Sequence, residues 1–221
     1  MQHIEGGDRV IHFEEIFASI QGESVDVGIP TIFVRLYSCN LKCLYCDQPQ
    51  LPCDRKRISI ENLYNKVRSM KLKTVCITGG EPLLQPEIYV LVYDLVGEGY
   101  NVSIETNGSI EIEKDCYLRS YKYVMDVKCP SSGEHKMNRF SNLTNLLSKD
   151  EVKFVIADRE DYDFAKKVLK DYPTKATKLF SPMFDYEKKQ SIGVDLSNWL
   201  IEDNIPRSRL SLQVHKFIGV Q

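Results

Sequence analysis

The sequence has no long apolar run and very little net charge. No stretch approaches the roughly 18 to 20 apolar residues that a helix needs to cross a bilayer. Residues 1–7 lack the basic-then-apolar layout of a signal peptide. The 29 basic and 31 acidic residues leave a net charge of −2, so no basic field indicates a nucleic-acid partner. We therefore expect neither a membrane protein nor a protein that binds nucleic acid directly.

Internal repeats and low-complexity segments are also absent, and 221 residues is a length typical of one domain. We predict a single domain over residues 1–221. The seven cysteines are an odd number, and three of them are clustered in a way that suits a metal better than disulfides. That usage is typical of a reducing compartment, which predicts a cytoplasmic protein.

The clustered cysteines, Cys39, Cys43 and Cys46, follow the pattern C-x3-C-x2-C in a loop that we place at residues 38–48. A cubane iron–sulfur cluster is normally held by four cysteine thiolates, and no fourth cysteine lies at a matching spacing. A cubane here would leave one iron open to another ligand, as in reactive metal sites. From the loop alone, a zinc site or a redox-sensing thiol trio remains an alternative.

A pattern of strand, polar tip and helix recurs five or six times along the chain. The predicted strands are residues 31–37, 73–78, 101–104, 123–128, 151–156 and 178–183. This is the sequence form of right-handed βα units around a parallel sheet, in which ligands bind beyond the carboxyl ends of the strands. A complete eight-unit barrel takes about 250 residues. We therefore predict an α/β fold, a partial and open TIM-like barrel of about six parallel βα units.

Several local predictions accompany this fold. Ser59 is a candidate N-cap for an amphipathic helix over residues 60–71. Residues 48–57 are predicted to be an irregular loop, and Cys76 a small core residue within its strand. Residues 195–204 predict a last helix.

Two segments at the ends of the chain carry polar residues of interest. The apolar positions of residues 12–22 do not distinguish a strand from a helix. Taken alone, this segment favours the edge of a hairpin. Residues 210–218 predict a closing strand that places Gln213 and His215 on one face, where they are either ordinary surface residues or ligand contacts.

Charged residues inside apolar strands leave two interpretations open. Arg35 interrupts an apolar strand, and a buried arginine needs an anionic partner. That partner is either a core carboxylate or an acidic substrate. Asp126 and Lys128 share one face of their strand, either as a solvated ion pair or as contacts to a ligand.

The cysteine loop, with Tyr45 before its last cysteine, resembles the cluster loop of the radical S-adenosylmethionine (SAM) enzymes. Gly79-Gly80-Glu81-Pro82, one strand–helix unit later, resembles the motif that meets the cofactor's amino group in those enzymes. The resemblance implies a [4Fe–4S] cluster whose open iron binds SAM, and cleavage of SAM to a 5′-deoxyadenosyl radical.

Further motifs are similar to one family in this superfamily, the 7-carboxy-7-deazaguanine synthases. They occupy residues 17–23, 33–36, 39–47, 78–83, 105–108, 126–131, 153–156 and 212–216. The S-I-Q-G-E and L-Q-x-H-K stretches are the family-specific parts. The resemblance implies a lyase that converts 6-carboxy-5,6,7,8-tetrahydropterin to 7-carboxy-7-deazaguanine and ammonia by a radical ring contraction, in queuosine or archaeosine biosynthesis.

The resemblance also implies the site residues. The cluster ligands would be Cys39, Cys43 and Cys46. The residues that would meet SAM are Tyr45, Cys46, Asp47, Gly79, Gly80, Glu81, Asn107, Lys128, Ser131 and Ser132. The residues that would meet the pterin are Ile20, Gln21, Gly22, Glu23, Arg35, Thr78, Glu105, Gln213, His215 and Gln221. Arg35 would face the substrate carboxylate, and no side chain is predicted to act as an acid or base.

The chain departs from the family pattern at Gln48, where the family has a threonine that helps to bind Mg²⁺ beside the substrate carboxylate. A glutamine carbonyl can ligate a hard cation, but its side chain is longer. Ser24 stands where the family usually has glycine.

The resemblance implies an electron donor such as flavodoxin or ferredoxin, and a homodimer. Two alternatives from other classes remain: an activating enzyme that makes a glycyl radical on a partner protein, and a non-enzymatic zinc or iron–sulfur module.

Overall fold

The computed structural model describes residues 9–48, 56–112, 120–185 and 190–220. Its strands are β1 (Val10–Ile20), β2 (Pro30–Leu36), β3 (Lys56–Ser59), β4 (Thr74–Gly79), β5 (Asn101–Thr106), β6 (Lys122–Val127), β7 (Glu151–Ile156), β8 (Thr177–Pro182), β9 (Phe184–Asp185), β10 (Gln190–Ser191) and β11 (Ser208–Leu210). Its helices are α1 (Ile60–Ser69), α2 (Ile88–Gly97), α3 (Ser141–Asn145), α4 (Arg159–Asp171), α5 (Gly193–Asp203) and α6 (Val214–Ile218).

Nine of the described strands form one sheet in the order β11–β8–β7–β6–β5–β4–β2–β1–β3. Every neighbouring pair from β2 to β11 is parallel, and β1 pairs antiparallel with both β2 and β3. Among the described strands, β11 and β3 lie at opposite ends of the sheet, so the barrel is open. The prediction of an open, partial barrel of parallel βα units is confirmed.

The parallel strands are apolar because both of their faces are covered. Val75, Cys76 and Ile77 of β4 are completely buried. On the outer face, α1 contributes Ile60, Leu63 and Val67 to the core. None of the helices in the described ranges is both long and apolar enough to span a membrane.

The N-terminal predictions hold in outline. Residues 12–22 fall mostly within β1, which forms a hairpin with β2 but is flanked by β3 on its other side. The Ser59 side chain accepts a hydrogen bond from Asn62 N–H, which confirms the predicted N-cap. The prediction of an irregular loop over residues 48–57 is wrong at its end, because Lys56 and Arg57 pair with β1.

The prediction of a closing strand over residues 210–218 is also wrong. Strand β11 ends at Leu210, and the next residue, Ser211, donates its N–H to Phe180 O at 2.8 Å. The chain then turns into the short helix α6, which ends at Gly219 with φ of +71°. The alternation of Leu210, Leu212 and Val214 predicted a strand. Gly219, which tolerates the left-handed conformation, instead ends a helix.

Candidate active site

A cleft opens at the carboxyl ends of the parallel strands, where the predicted polar strand tips meet. Its volume is about 740 Å³, and sites for small molecules typically measure about 300–1,000 Å³. The predicted site residues that line it are Ile20, Gly22, Glu23, Arg35, Cys39, Cys43, Tyr45, Cys46, Asp47, Gln48, Thr78, Gly79, Gly80, Glu105, Asn107, Lys128, Gln213 and His215. Gln21, Glu81, Ser131 and Ser132 are not among the lining residues. Gln221 lies outside the described residues.

The three predicted cluster ligands face this one cleft. Cys39 and Cys43 are half-buried and Cys46 is exposed. Asn107 Nδ2 donates to Cys39 Sγ at 3.6 Å. Burial raises the pKa of the Cys43 thiol, and the nearby Lys128 ammonium opposes that rise. Within the described ranges, no three Cys, His, Asp or Glu side chains are arranged to hold a single metal ion. A cubane does not need that convergence, since its ligands bind different irons.

Two glycines let the tip of β4 pack against the start of the cysteine loop. Gly79 has φ of +111°, a conformation that favours glycine. A Cβ atom on Gly80 would lie 1.8 Å from the Ser38 carbonyl oxygen. The Gly80 N–H donates to Leu36 O at 3.1 Å, and the Glu81 N–H donates to Ser38 O at 2.8 Å. The backbone of this turn therefore fixes where the cysteine loop begins.

Glu81, which the resemblance assigns to the cofactor's amino group, is bound by groups of the protein itself. Its side chain is completely buried. The carboxylate accepts hydrogen bonds from Leu83 N–H at 2.9 Å, Thr106 Oγ1 at 2.8 Å and Asn107 N–H at 2.6 Å. Burial raises the pKa of this carboxyl group, and the hydrogen bonds oppose the rise. Glu81 therefore joins the tips of β4 and β5 beneath the cleft.

Ser131 and Ser132 also lie behind the cleft wall. Ser131 donates its N–H to Asp161 Oδ1 at 3.0 Å and its hydroxyl to Asp161 Oδ2. Ser132 donates its hydroxyl to Cys129 O at 2.6 Å. Its carbonyl oxygen accepts the Leu44 N–H at 3.0 Å. This turn thus supports the cysteine loop through its backbone, while both hydroxyl groups are used elsewhere.

Two lysines form ion pairs along the cleft. Lys128 Nζ lies 3.1 Å from Asp126 Oδ2, and both side chains are mostly buried and line the cleft, so this pair is not a solvated surface pair. Lys153 Nζ lies 2.8 Å from Glu23 Oε2 and 3.7 Å from Asp126 Oδ2. Burial opposes the charged form of Glu23, but Lys153 and hydrogen bonds outweigh it and lower the pKa of Glu23 to about 2.

Two buried polar atoms in the cleft lining have no hydrogen-bond partner in the part of the chain that the structure describes. They are the Tyr45 hydroxyl and Asp126 Oδ1. Burial raises the pKa of the Tyr45 phenol, so the group stays neutral. Buried polar atoms are normally paired. These two atoms are therefore positions in the lining that a water or a ligand would have to satisfy.

The C-terminal segment reaches back to the S-I-Q-G-E stretch. Gln213 Nε2 donates to Glu23 Oε1 at 2.6 Å. His215 packs so closely on Gly22 that a Cβ atom there would lie 2.0 Å from its Nδ1. Lys216 Nζ donates to Gln213 Oε1 at 2.7 Å. Although they lie beside and within a helix rather than on a strand, Gln213 and His215 both line the cleft.

Arg35 has a carboxylate partner within the protein and also faces the cleft, where a substrate would bind. Its Nε lies 2.8 Å from Glu15 Oε1, and its side chain also lines the cleft. The guanidinium carbon lies 5.5 Å from the centre of the Phe17 ring, which stacks on Phe33 at 5.2 Å. Both aromatic rings line the cleft and provide a flat apolar wall.

Glu105 presents a carboxylate on the cleft floor. It accepts the Thr78 hydroxyl at 2.9 Å through Oε2 and the Cys76 thiol at 3.3 Å through Oε1. Gln21, expected to meet substrate, is instead 4% exposed, and its Oε1 accepts the Glu23 N–H at 3.1 Å.

Comparisons with known proteins agree with this geometry. The model of the Radical SAM superfamily matches residues 34–126. The 7-carboxy-7-deazaguanine synthase of Methanospirillum hungatei is 42% identical over 93% of this chain and 84% of its own length. The 7-carboxy-7-deazaguanine synthase of Koribacter versatilis is 39% identical over 92% of this chain and 95% of its own length. The chain belongs to the 7-carboxy-7-deazaguanine synthase family. The crystal structure of QueE from Escherichia coli, at 23% identity and a TM-score of 0.70 over 93% of this chain and 95% of that one, has the same fold.

Membership of the 7-carboxy-7-deazaguanine synthase family makes the chain a radical SAM enzyme, which implies a [4Fe–4S] cluster and SAM. The residues present fit both groups. Three thiols, the ligand type of iron–sulfur clusters, share a cleft with two polar atoms that have no partner among the described residues. Family membership also favours the synthase over the activating enzyme and the non-enzymatic metal module.

Sequence reasoning missed several lining residues of this family member. Lys153 is the clearest case, and Phe17 and Phe33 are others. Lys153 carried the same signal as Arg35, a charge inside an apolar parallel strand. Phe17 and Phe33 gave no signal, because an aromatic residue in a strand is more often part of the core.

Proposed function

We propose that this protein is a 7-carboxy-7-deazaguanine synthase. It converts 6-carboxy-5,6,7,8-tetrahydropterin to 7-carboxy-7-deazaguanine and ammonia, for 7-deazapurine nucleosides such as queuosine or archaeosine. The observation that carries this proposal is the 42% identity to a synthase across nearly the whole chain. The convergence of the cysteines, Arg35 and Glu105 on one cleft supports it.

One end of the cleft would hold the cofactors. Cys39, Cys43 and Cys46 would ligate the cluster, and the Gly79–Gly80 backbone, which holds the start of the cysteine loop, would lie beside SAM. When bound, the cluster and SAM supply a carbon radical that removes a hydrogen atom from the substrate. Tyr45, Asp47, Asn107 and Lys128 would contact SAM from this end. Ser131 and Ser132 would act only through the loop that they support.

The other end would hold the pterin. Phe17 and Phe33 would stack on its planar ring system. The terminal nitrogens of Arg35 would bind the carboxylate, while its Nε stays on Glu15. Thr78 and Glu105 would face the polar edge of the ring.

Further residues complete the substrate end. They are Ile20, Gly22, Glu23, Gln213 and His215. Gln21 and Glu81 would take part only as supports from beneath.

The chain's own contribution is orientation and charge. The reaction is a net loss of ammonia with no external oxidant, so the protein has to hold one substrate conformation and exclude water. The ion pairs of Lys128 with Asp126 and of Lys153 with Glu23 place fixed charges along the cleft. Preorganised charges of this kind cost no reorganisation during the reaction.

The proposal includes a Mg²⁺ ion bound by Gln48, which lines the cleft. Mg²⁺ keeps several waters and takes one or two protein oxygens together with substrate oxygens. Gln48 Oε1 and the substrate carboxylate would meet that need. The adjacent Asp47 is engaged by Lys216 at 3.5 Å. Activity after chelation and after readdition of Mg²⁺, in the parent and in Gln48→Thr, tests this point, and activity that is indifferent to both contradicts it.

The remaining partners follow from the resemblance. The exposure of Cys46 at the cleft mouth supports electron delivery there from a flavodoxin or ferredoxin. Within the described residues, Cys39, Cys43, Cys46, Cys76 and Cys129 form no disulfide, as expected of a reducing, cytoplasmic setting. The family resemblance supports a homodimer, which sedimentation equilibrium would test.

Cys43→Ala tests the proposed function because it removes one of the three thiolates. We expect the variant to lose iron and turnover of the carboxypterin together. Leu44→Ala, with a chemical reductant, is the matched control in the same loop, since Leu44 is 82% exposed. Retention of both iron and turnover in Cys43→Ala would contradict the proposal.

A further inference from the structure

A buried thiol lies directly beneath the Glu105 carboxylate. Cys76 of β4 is completely buried, and its Sγ donates to Glu105 Oε1 at 3.3 Å. Thr78, two residues further along the same strand, donates its hydroxyl to Glu105 Oε2 at 2.9 Å. Residues two apart on a strand point to the same face. Strand β4 therefore holds both oxygens of this carboxylate from one side.

Cys76 also lies among buried polar side chains. Gln21 and Ser103 are close enough to influence its thiol, and both are buried. Gln21 Oε1 in turn accepts the Glu23 N–H at 3.1 Å. Buried polar side chains therefore extend from the S-I-Q-G-E stretch to Glu105 beneath the cleft floor.

The Cys76 thiol is suited to act as a hydrogen-bond donor and not as a nucleophile. Burial raises the pKa of Cys76 well above its ordinary value, and the Glu105 carboxylate adds to the rise. The thiol is therefore protonated and can donate its S–H. A carboxylate has about four lone-pair positions. With two of them used by Cys76 and Thr78, the others remain for ligand donors in the cleft, which Glu105 lines.

We propose that Cys76 is a positioning residue for substrate recognition. Its thiol fixes the plane of the Glu105 carboxylate, so that the remaining lone pairs accept adjacent N–H groups on the substrate's aminopyrimidine ring. The inference rests on the proposed function, since it requires a pterin at Glu105. Without the thiol, the carboxylate rotates about its last side-chain bond, and its alignment with the two N–H groups is lost.

Three substitutions separate donation from packing. Cys76→Ser keeps a donor, Cys76→Val fills the space without a donor, and Cys76→Ala removes both. Val75→Ala is the matched control, because Val75 is equally buried on the same strand but faces the opposite side of the sheet. Thermal unfolding of all four variants reports the packing cost separately.

The measurements are the dissociation constant of the carboxypterin in the SAM-loaded holoenzyme, with KM and kcat from turnover. We expect Cys76→Val and Cys76→Ala to raise the dissociation constant and KM on the order of tenfold, the scale of a lost hydrogen bond to a charged group. We expect kcat to change little. Cys76→Ser and Val75→Ala should stay close to the parent in affinity, whatever their thermal stability.

Two results overturn the inference alone: parent-like affinity in Cys76→Val, or a loss in Cys76→Ser as large as that in Cys76→Val. A parent holoenzyme that binds no carboxypterin overturns the proposed function and this inference with it.

Discussion

Glu23 and Lys153 are 130 residues apart in the chain, yet their side chains form an ion pair of 2.8 Å in the cleft wall. Burial disfavours the charged form of each group. Their mutual attraction prevails, because the pKa of Glu23 falls to about 2 and that of Lys153 rises. The pair therefore stays ionised at every pH at which the enzyme would work.

We predict that Glu23 contributes to acid unfolding. Its folded pKa of about 2 lies below its ordinary value of 4.5, so the unfolded chain binds this proton first as the pH falls. The stabilising contribution is complete above about pH 4.5 and is lost as the pH falls towards 2. Urea unfolding between pH 6 and pH 3 should show a shallower decline in Glu23→Gln than in the parent.

At pH 6, Glu23→Gln should also be less stable by about 3 kcal/mol, because it leaves a buried ammonium with a weaker partner. Equal stability of the two proteins across the whole range would show that the pair contributes nothing to folding.

Gly80→Ala should prevent normal cluster assembly. The new Cβ atom would lie 1.8 Å from the Ser38 carbonyl oxygen, and backbone cannot give way as a flexible side chain can. The start of the cysteine loop has to shift, so we expect much less iron per chain after anaerobic reconstitution. Gly97→Ala is the control, since nothing lies within 4 Å of its added atom. Equal iron in Gly80→Ala and the parent would refute this reading of the turn.

Glu81→Gln should lower stability and not act on SAM directly. The buried carboxylate accepts three hydrogen bonds, and an amide would turn an NH₂ group towards some of those donors. We expect a loss of about 2 kcal/mol in the free energy of unfolding. Glu87→Gln, at an exposed position, should be neutral. If Glu81→Gln kept the parent's stability and lost SAM affinity, the result would support a direct contact between Glu81 and SAM.

Arg35→Met should weaken binding of the carboxylated substrate specifically. Its Nε is held by Glu15, and the proposal assigns its other nitrogens to the substrate carboxylate. We expect KM for the carboxypterin to rise about tenfold or more. Binding of a tetrahydropterin without the carboxylate should be similar in the variant and the parent. An equal loss for both ligands would mean that Arg35 serves only the protein scaffold.

The fold and the place of the site could be read from the sequence, because both depend on spacing. Cys39, Cys43 and Cys46 have to lie together to share a cluster, and polar tips of parallel strands have to meet at one edge of the sheet. Spacing does not say which way a side chain within a motif points. Glu81 and Gln21 therefore could not be separated from true lining residues before their buried partners were known.

The C-terminal segment shows a second limit. The alternation of Leu210, Leu212 and Val214 is as regular as in a strand, but the chain leaves the sheet after Leu210 and forms a helix from Val214. Three alternating residues are too few to distinguish a strand from a short helix. Gln213 and His215 nevertheless line the cleft. Their assignment to the site came from the family resemblance and not only from the predicted strand face.

The most direct test of the account is the chemical identity of the product. The parent protein would be reconstituted without oxygen and incubated with 6-carboxy-5,6,7,8-tetrahydropterin, SAM and a reductant, and the mixture analysed by mass spectrometry. We predict a product lighter than the substrate by one ammonia, with the chromatographic behaviour of 7-carboxy-7-deazaguanine, formed in equal amount with free ammonia. Unchanged carboxypterin in the presence of an intact, reduced cluster would contradict the account.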